Sequence, residues 1–178
     1  MKSGRFIALL LAAAALLTAC SSVPKIKEYS VLDPLQARES VYLIPFDATL
    51  VPPDFSEPIF NDFVDILNSS RKQTKVDGFV ILKDELKEVE PSWLIKQVYI
   101  TGDVWGYVET TGCCSTDMKV KARIQLFEAG KNSPAFEVFV PVEHYFEHDR
   151  SDVAAEKERL GKKLAHDLAE AVIKKLTP

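Results

Sequence analysis

The strongest constraint on the fold is MKVKARIQLF at Met118–Phe127, in whose first nine residues apolar and polar side chains alternate without a break. Successive side chains of a β-strand point to opposite faces of the sheet, so a period of two is typical of a strand with one buried and one solvated face. The apolar members are Met118, Val120, Ala122, Ile124 and Leu126, and the polar members are Lys119, Lys121, Arg123 and Gln125. The run therefore predicts an antiparallel strand over a hydrophobic core.

Two neighbouring segments carry similar strand patterns. VYITGDVWGYVE (98–109) precedes the alternating run across TTGCCSTD, and AFEVFVPV (135–142) follows it across a Gly-Lys-Asn turn. Strand patterns separated by short turns predict a three-stranded antiparallel meander. In the first strand we expect one face to carry Val98, Ile100, Val104 and Val108, and the other to carry Tyr99, Asp103, Trp105 and Tyr107.

The rest of the body predicts two further strands and two principal helices. The strands are expected at 41–46 and 78–82, with a short helix around 91–95. An apolar stripe from Ile59 to Leu67 predicts an early helix with Ser56 as its N-cap. The pattern over Asp152–Leu176 predicts a long amphipathic helix. We expect one α+β domain over residues 41–178, in which both helices cover one face of a mixed sheet of about five strands.

The amino end has the pattern of an export signal. Lys2 and Arg5 precede an apolar stretch at 6–17, and small residues then lead to Cys20. A bilayer-spanning helix needs about 20 apolar residues, so the stretch is too short to remain as a span. Residues 1–19 are therefore predicted to be a signal peptide.

The order Leu17-Thr18-Ala19-Cys20 resembles the lipobox of bacterial lipoproteins. The resemblance implies cleavage before Cys20, acylation of that residue and permanent attachment to a membrane. Ser21 follows the cysteine at the position where an Asp would resemble an inner-membrane retention signal, so the resemblance favours the outer membrane. Residues 20–40 are expected to form a flexible tether that could reach about 60 Å when extended.

The order of elements, together with VYLIPFDA, YITGDVWGYVE and IQLFEAGKNSPAFEVFV, resembles a group of small periplasmic domains. The group comprises the TolB amino-terminal domain, the curli-secretion lipoprotein and the outer-membrane activators of penicillin-binding proteins. The auxiliary lipoprotein of envelope lipid transporters is a second resemblance, carried by EYSVLDP. Both imply a lipid-anchored, periplasmic and non-enzymatic protein that binds or assembles other envelope proteins. We expect no cofactor.

The charge of the chain argues against nucleic acid as a partner. The formal net charge is −4, and removal of residues 1–19 leaves 20 basic against 26 acidic residues. Phosphate binding requires clustered Lys and Arg, and the sequence has no such block. The oligomeric state is not predicted.

The segment HYFEH (144–148) matches the inverted zinc-peptidase pattern H-x-x-E-H. In that alternative function, a zinc-dependent hydrolase, a helix would place His144 and His148 on the metal and Glu147 would act as general base. The motif follows a strand, and only 30 residues remain for a third ligand. We therefore expect an acidic surface loop between strand and helix, and no metal site.

Cys113 and Cys114 lie at the predicted tip of the first hairpin. Thiols in an oxidising compartment are seldom free, so the pair is a candidate disulfide. Neighbouring Cα atoms are about 3.8 Å apart, below the usual range for disulfides, so a vicinal bridge would be strained. A covalent link to a partner and a redox or metal site are the alternatives.

A candidate partner surface follows from the meander. If its aliphatic face lies under the helices, the aromatic residues of the first strand point the other way, and we expect Trp105 and Tyr107 to fall opposite the cations of the second strand. Such a face could dock a partner protein, because aromatic residues and Arg dominate interface hot spots. The alternative is ordinary cross-strand pairing on a solvated face. The residues are Tyr99, Trp105, Tyr107, Lys119, Lys121 and Arg123.

Overall fold

Six strands of the described residues form one mixed sheet in the order β1-β6-β5-β4-β2-β3. The computed structural model describes residues 24–29, 40–74, 76–84 and 86–177, so the leader and Cys20 lie outside the described residues. The strands are β1 (Lys25–Glu28), β2 (Ser40–Leu43), β3 (Gly78–Ile81), β4 (Val98–Thr111), β5 (Ser115–Phe127) and β6 (Phe136–Glu147). The helices are α1 (Pro53–Ser69), α2 (Arg71–Thr74), α3 (Pro91–Leu94) and α4 (Val153–Leu176).

The predicted meander is confirmed. Strand β5 pairs antiparallel with β4 on one side and with β6 on the other. Strand β2 pairs parallel with both β4 and β3, which makes the sheet mixed. The α+β class and the C-terminal helix are as expected, and the sheet has one strand more than expected.

The core lies between one face of the sheet and the two long helices. The apolar members of the alternating run, such as Ile124, are fully buried, and they belong to one cluster with Phe63 of α1 and Leu164 of α4. The two helices approach closely at Gly161, where an added Cβ would lie 3.5 Å from Ile59. Burial of the apolar stripes of both helices on this single face leaves the opposite face of the sheet for other roles.

The additional strand is β1, which lies in the segment expected to be tether. Lys25–Glu28 pairs antiparallel with Phe136–Phe139 of β6, and the Tyr29 amide donates to the Ala135 carbonyl at 3.0 Å. All four β1 residues are exposed. The strand has little apolar surface to bury, which explains why the pattern of hydrophobic residues did not predict it.

The predicted N-cap of α1 is wrong. The helix begins at Pro53 after Pro52, and Ser56 lies within the first turns with 8% of its surface exposed. Proline suits the first helical position because its missing N–H would lack a partner there in any case. Helix α4 follows the ordinary rule, since the Asp152 carboxylate accepts from the Ala155 amide at 2.9 Å.

Strand β6 is longer than the sequence indicated and extends to Glu147. Residues 144–147 of the HYFEH segment therefore continue the strand, and the expectation of a loop is wrong for these four residues. In the part of the chain that the structure describes, no helix has the length and apolar character that a membrane span requires.

Candidate functional site

The face of the sheet opposite α1 and α4, here called the open face, carries the polar members of the alternating strands and a set of aromatic rings. Odd-numbered residues of β5 point to it, and β4 contributes Tyr99, Asp103 and Trp105. Strand β6 contributes Glu137 and Phe139, paired with Gln125 and Arg123. The open face is neither core nor fully solvated surface, because four of its residues are partly buried: Tyr99, Trp105, Arg123 and Phe139.

Arg123 is the centre of the open face. Its Nε and Nη2 donate to Asp103 Oδ2 at 2.9 and 2.6 Å, and Nη1 lies 3.8 Å from Glu137 Oε2. The guanidinium also lies 5.9 Å from the ring centroid of Trp105, which in turn contacts Phe139 at 5.5 Å. A planar guanidinium held by two carboxylates and a ring is fixed in orientation, so Trp105 is displayed at a defined angle.

Glu137 joins the open face to the β1 edge. It is 8% exposed and accepts from Gln125 Nε2 at 2.9 Å, Tyr29 Oη at 3.3 Å and Lys27 Nζ at 3.4 Å. A carboxylate so nearly buried requires such partners, because an unpaired buried charge is costly. Two of the donors belong to β1 or the residue after it, so Glu137 helps hold that short strand on the sheet.

A second group of rings lies towards the start of β4. Tyr99 stacks on Phe127 with centroids 4.6 Å apart and planes within 4° of each other. Tyr42 meets Trp93 edge-to-face at 5.1 Å. Burial raises the pKa of the Tyr99 hydroxyl above its usual value, so the hydroxyl stays neutral. The Tyr99 side chain therefore presents an apolar ring with a polar tip.

The structure brings most of the predicted partner surface together. Tyr99, Trp105, Lys121 and Arg123 share the open face, with Trp105 paired to Lys121. Lys119 lies further along the same face of β5, where it forms ion pairs with Asp117 and Glu143. The sequence prediction omitted Phe127, Glu137 and Phe139, whose positions on β5 and β6 the same alternation could have given.

The placement of Tyr107 was predicted wrongly. Trp105 pairs with Lys121 and Val108 pairs with Lys119, so three steps on β4 match two on β5. This β-bulge lies at Gly106, whose φ is +65°. An extra residue exchanges the two faces of the strand beyond it. Tyr107 consequently faces the helices, and Val108 is 51% exposed.

Beyond the bulge, β4 is tied to both long helices. The Tyr107 ring packs on Phe55 of α1 with centroids 4.8 Å apart, and its hydroxyl donates to Glu109 Oε2 at 2.8 Å. Lys157 of α4 lies 2.8 Å from the same carboxylate oxygen. The hydrogen bonds from Lys157 and Tyr107 hold the pKa of Glu109 below its usual value, and burial is the main cause that raises the pKa of Tyr107.

The two histidines of HYFEH point to the helix side of β6. His144 Nε2 lies 2.7 Å from Glu156 Oε2, and His148 Nε2 lies 2.8 Å from the Thr116 hydroxyl. Glu147 falls on the opposite face by strand alternation and pairs with Arg150 at 3.2 Å. The zinc-hydrolase arrangement is therefore contradicted, because it needs His144, Glu147 and His148 on one side. Among the described residues, no group of three or more His, Cys, Asp or Glu is placed to hold a metal.

Cys113 and Cys114 occupy the tip of the β4–β5 hairpin, and both are exposed. Their sulfur atoms lie 3.0 Å apart, and the thiol hydrogen bond raises the pKa of Cys114. The Gly112 amide donates to the Ser115 carbonyl at 2.8 Å, and the His148 amide donates to the Cys114 carbonyl at 2.9 Å. The tip is thus held by His148, the residue after β6, as well as by its own turn.

A shallow cleft of about 260 Å³ opens beside Trp105. Its other lining residues are Asp47, Thr49, Asp103 and Arg123. The cleft extends the open face past the end of β2, where Asp47 forms a parallel bridge with Asp103. An aromatic ring bordered by both signs of charge suits recognition of a polar protein surface better than burial of an apolar ligand.

No family model and no curated protein matches the chain. Several solved structures share its fold. PelC from Paraburkholderia phytofirmans, described as a dodecamer, aligns with a TM-score of 0.53 at 13% identity, over 83% of this chain and 98% of PelC. Protein XCC0632 from Xanthomonas campestris, assigned to DUF330, aligns with a TM-score of 0.52 at 8% identity, over 84% and 93% of the two chains.

A third solved structure is a neuraminyllactose-binding hemagglutinin homologue from Helicobacter pylori, with a TM-score of 0.50 at 10% identity, over 85% of this chain and 92% of that one. Bacterial lipoproteins occur among the weaker matches, with TM-scores below 0.5. Identities this low establish a shared fold and nothing further. The narrower resemblance to the TolB and curli-secretion group is not confirmed by these structures.

Proposed function

We propose that the protein is a lipoprotein of the bacterial envelope whose open face binds another envelope protein. In this proposal Cys20 carries the acyl chains, the outer membrane holds the anchor, and the domain faces the periplasm. The protein acts by position and performs no catalysis. The lipobox resemblance at Leu17–Cys20 supports the anchor, and the open face supports the binding role.

The observation that carries the binding role is the fixed display of Trp105. Arg123 and Phe139 hold the ring from two sides, and Asp103 and Glu137 fix Arg123. Large rigid aromatic side chains bind at low entropic cost, and Trp and Arg are the residues most enriched in interface hot spots. Trp105 and Arg123 remain only partly buried although they lie in the middle of the sheet.

The partner could be a second copy of the chain, because the similar PelC is a dodecamer. Native mass spectrometry of residues 24–178 addresses this first. A multimer that dissociates on Trp105→Ala would make the open face a self-assembly surface. A monomer would direct the search to a different envelope protein.

The decisive experiment is photo-crosslinking in whole cells from a benzoylphenylalanine placed at Phe139, with Lys121→Glu as the interfering variant. Lys121 is exposed and faces Trp105 across the strand pair, so its reversal changes the charge of the face while Arg123 keeps its partners. We expect one dominant crosslinked protein that is lost in the variant. Lys131→Glu, in the exposed turn before β6, is the matched control with the same charge change.

Equal crosslinking in wild type, Lys121→Glu and Lys131→Glu would contradict the proposal. So would a diffuse set of products, because a specific face selects one partner. A binding interface of ordinary size buries about 800 Å² on each side, which is compatible with one face of a sheet of this width.

A further inference from the structure

Strand β1 shortens the distance over which the protein can stand away from its anchor. Its backbone is paired with β6. Lys27 and the following Tyr29 donate hydrogen bonds to Glu137, and Glu28 forms an ion pair with Lys175 at 3.2 Å. The folded body therefore begins at Lys25 and not near residue 41. The position of the membrane relative to this body depends on the proposed acylation of Cys20.

Only five peptide steps separate Cys20 from Lys25. At no more than about 3.6 Å for each step, the acylated residue lies within about 18 Å of Lys25. The reach of about 60 Å expected from a flexible tether would require β1 to leave the sheet. While β1 is paired, Lys25 therefore stays within about 18 Å of the anchored residue.

We infer that the β1–β6 edge of the sheet, defined here by Lys25, Ile26 and Tyr145, lies against the lipid surface. The opposite edge, β3, is five strand spacings away, or about 24 Å at 4.8 Å for each spacing. The length of chain between anchor and fold thus selects one edge of the molecule as the membrane-facing one.

The side chains of this edge suit a lipid headgroup region. Ile26 is 46% exposed, and Lys25 is exposed next to it on β1. Tyr145 is 62% exposed and lies on β6, six residues beyond Phe139, the partner of Lys25. Tyr combines an apolar ring with a polar tip and is enriched at membrane interfaces, and Lys attracts anionic lipids. Glu143 and Glu147 flank Tyr145 along β6, so the covalent anchor and not net charge must hold the edge in place.

The orientation leaves the β3 edge and the part of the open face on β4 and β5 available to a protein partner. Val80 and Ile81 of β3 are 42% and 46% exposed at the far edge. Partner binding and membrane contact would therefore use different parts of the same sheet. The two can be separated experimentally.

The test uses the full-length protein, purified with its lipid and reconstituted into vesicles of phosphatidylethanolamine and phosphatidylglycerol. Cys113→Ser and Cys114→Ser remove the competing thiols, and a fluorophore is then attached at Lys25→Cys, Tyr145→Cys or Val80→Cys. Lipids with a nitroxide on the headgroup quench fluorophores near the surface. We expect labels at 25 and 145 to lose most of their fluorescence and the label at 80 to keep most of its own.

An insertion variant provides the control for the covalent argument. Twenty Gly and Ser residues between Ser22 and Val23 keep both the anchor and β1, and they give the linker a root-mean-square span of about 28 Å. Quenching at positions 25 and 145 should fall to the level at position 80. Equal quenching at all three positions in the wild type, or unchanged quenching after the insertion, would overturn the inference.

The intact mass of the purified protein separates this inference from the proposed anchor. A mass without acyl chains rejects the anchor at Cys20, and the orientation then fails with it. An acylated protein whose three labels are quenched alike keeps the anchor and rejects the orientation alone.

Discussion

The two halves of β4 form one continuous strand, but their side chains alternate between the two faces of the sheet with opposite phase. Before Gly106, the side chains obey the simple alternation, so Val104 is buried and Trp105 lies on the open face. After Gly106 the alternation restarts with the opposite phase, and Tyr107 joins the helix side. The first half builds a surface for recognition, and the second half fastens the hairpin to α1 and α4.

The difference shows how much a single backbone position can change. Gly106 adopts a φ of +65°, a conformation that residues with a Cβ rarely adopt, and it supplies the extra residue of the bulge. Without it, Tyr107 and Glu109 would lie on the open face and lose Phe55 and Lys157. The bulge therefore sets where the recognition surface ends.

The largest effect is expected from Gly102→Ala in the first half of β4. An added Cβ would lie 2.8 Å from the Arg123 carbonyl oxygen in the neighbouring strand and 3.0 Å from the Phe46 ring. The two strands would have to separate, so we expect a loss of about 3 kcal/mol in the free energy of unfolding. Urea denaturation followed by circular dichroism measures it.

Gly112→Ala is the matched control for this change. It lies in the same hairpin, and the nearest atom to an added Cβ is the Ser115 carbonyl oxygen at 3.6 Å, an ordinary contact. Its stability should stay close to that of the wild type. A loss at Gly112→Ala as large as at Gly102→Ala would mean that close strand packing at Gly102 is not the cause.

A smaller effect is expected from Gly106→Ala at the bulge. Space is available there, since the nearest atom to an added Cβ is Lys121 Cδ at 3.6 Å, but the positive φ is strained for alanine by about 1–2 kcal/mol. Gly106→Asn should recover part of the loss, because Asn tolerates the left-handed region. If alanine and asparagine cost the same, backbone strain at the bulge is not the reason.

The sequence predicted the fold where hydrophobic periodicity is strong. Ile124 and Leu164 belong to long regular patterns, so β5 and α4 were found with nearly correct ends. Strand β1 could not be found in this way, because its stability depends on pairing with β6 and on Glu137, more than 100 residues away. Such non-local partners leave no periodic signal in a four-residue segment.

The candidate surface was predicted only as far as the alternation holds. Trp105 and Arg123 follow the regular pattern and were placed together. Tyr107 was misplaced, since a glycine in a strand signals a bulge or a close approach without saying which. Gly102 and Gly106 show both outcomes four residues apart, and only the neighbouring strand decides between them.

A still smaller effect is expected from Glu109→Gln in the second half of β4. Because the folded state lowers the pKa of Glu109, its charge stabilises the fold above its unfolded pKa of about 4.3. That stabilisation disappears as the pH falls through the folded pKa. For a partly exposed pair with Lys157 we expect a loss of about 0.5 kcal/mol at pH 7 and a smaller loss at pH 3.

Thermal unfolding of both proteins at the two pH values measures this difference. Glu158→Gln is the control for an ion pair within one helix, because exposed Glu158 pairs with exposed Lys162 of α4. A Glu109→Gln penalty that is the same at pH 3 and pH 7 would assign the stabilisation to a neutral hydrogen bond and not to the ion pair.

The smallest effect on stability is expected at the far end of the second half, from oxidation of Cys113 and Cys114. Oxidised glutathione would be attacked by one thiolate, and the second thiolate would release glutathione and close the bridge, with the loss of two protein hydrogens. A cross-link between neighbours closes almost no loop and removes little entropy from the unfolded chain, so the unfolding temperature should hardly change. Mass spectrometry before and after reduction detects the closed form, and Cys114→Ser should stop at the mixed disulfide.

A covalent dimer as the main product would show instead that the sulfur atoms, 3.0 Å apart in one chain, prefer a partner chain. Either product would leave the part of β4 before Gly106 unaffected, since the tip is fixed by Ser115 and His148 and makes its contacts beyond the bulge.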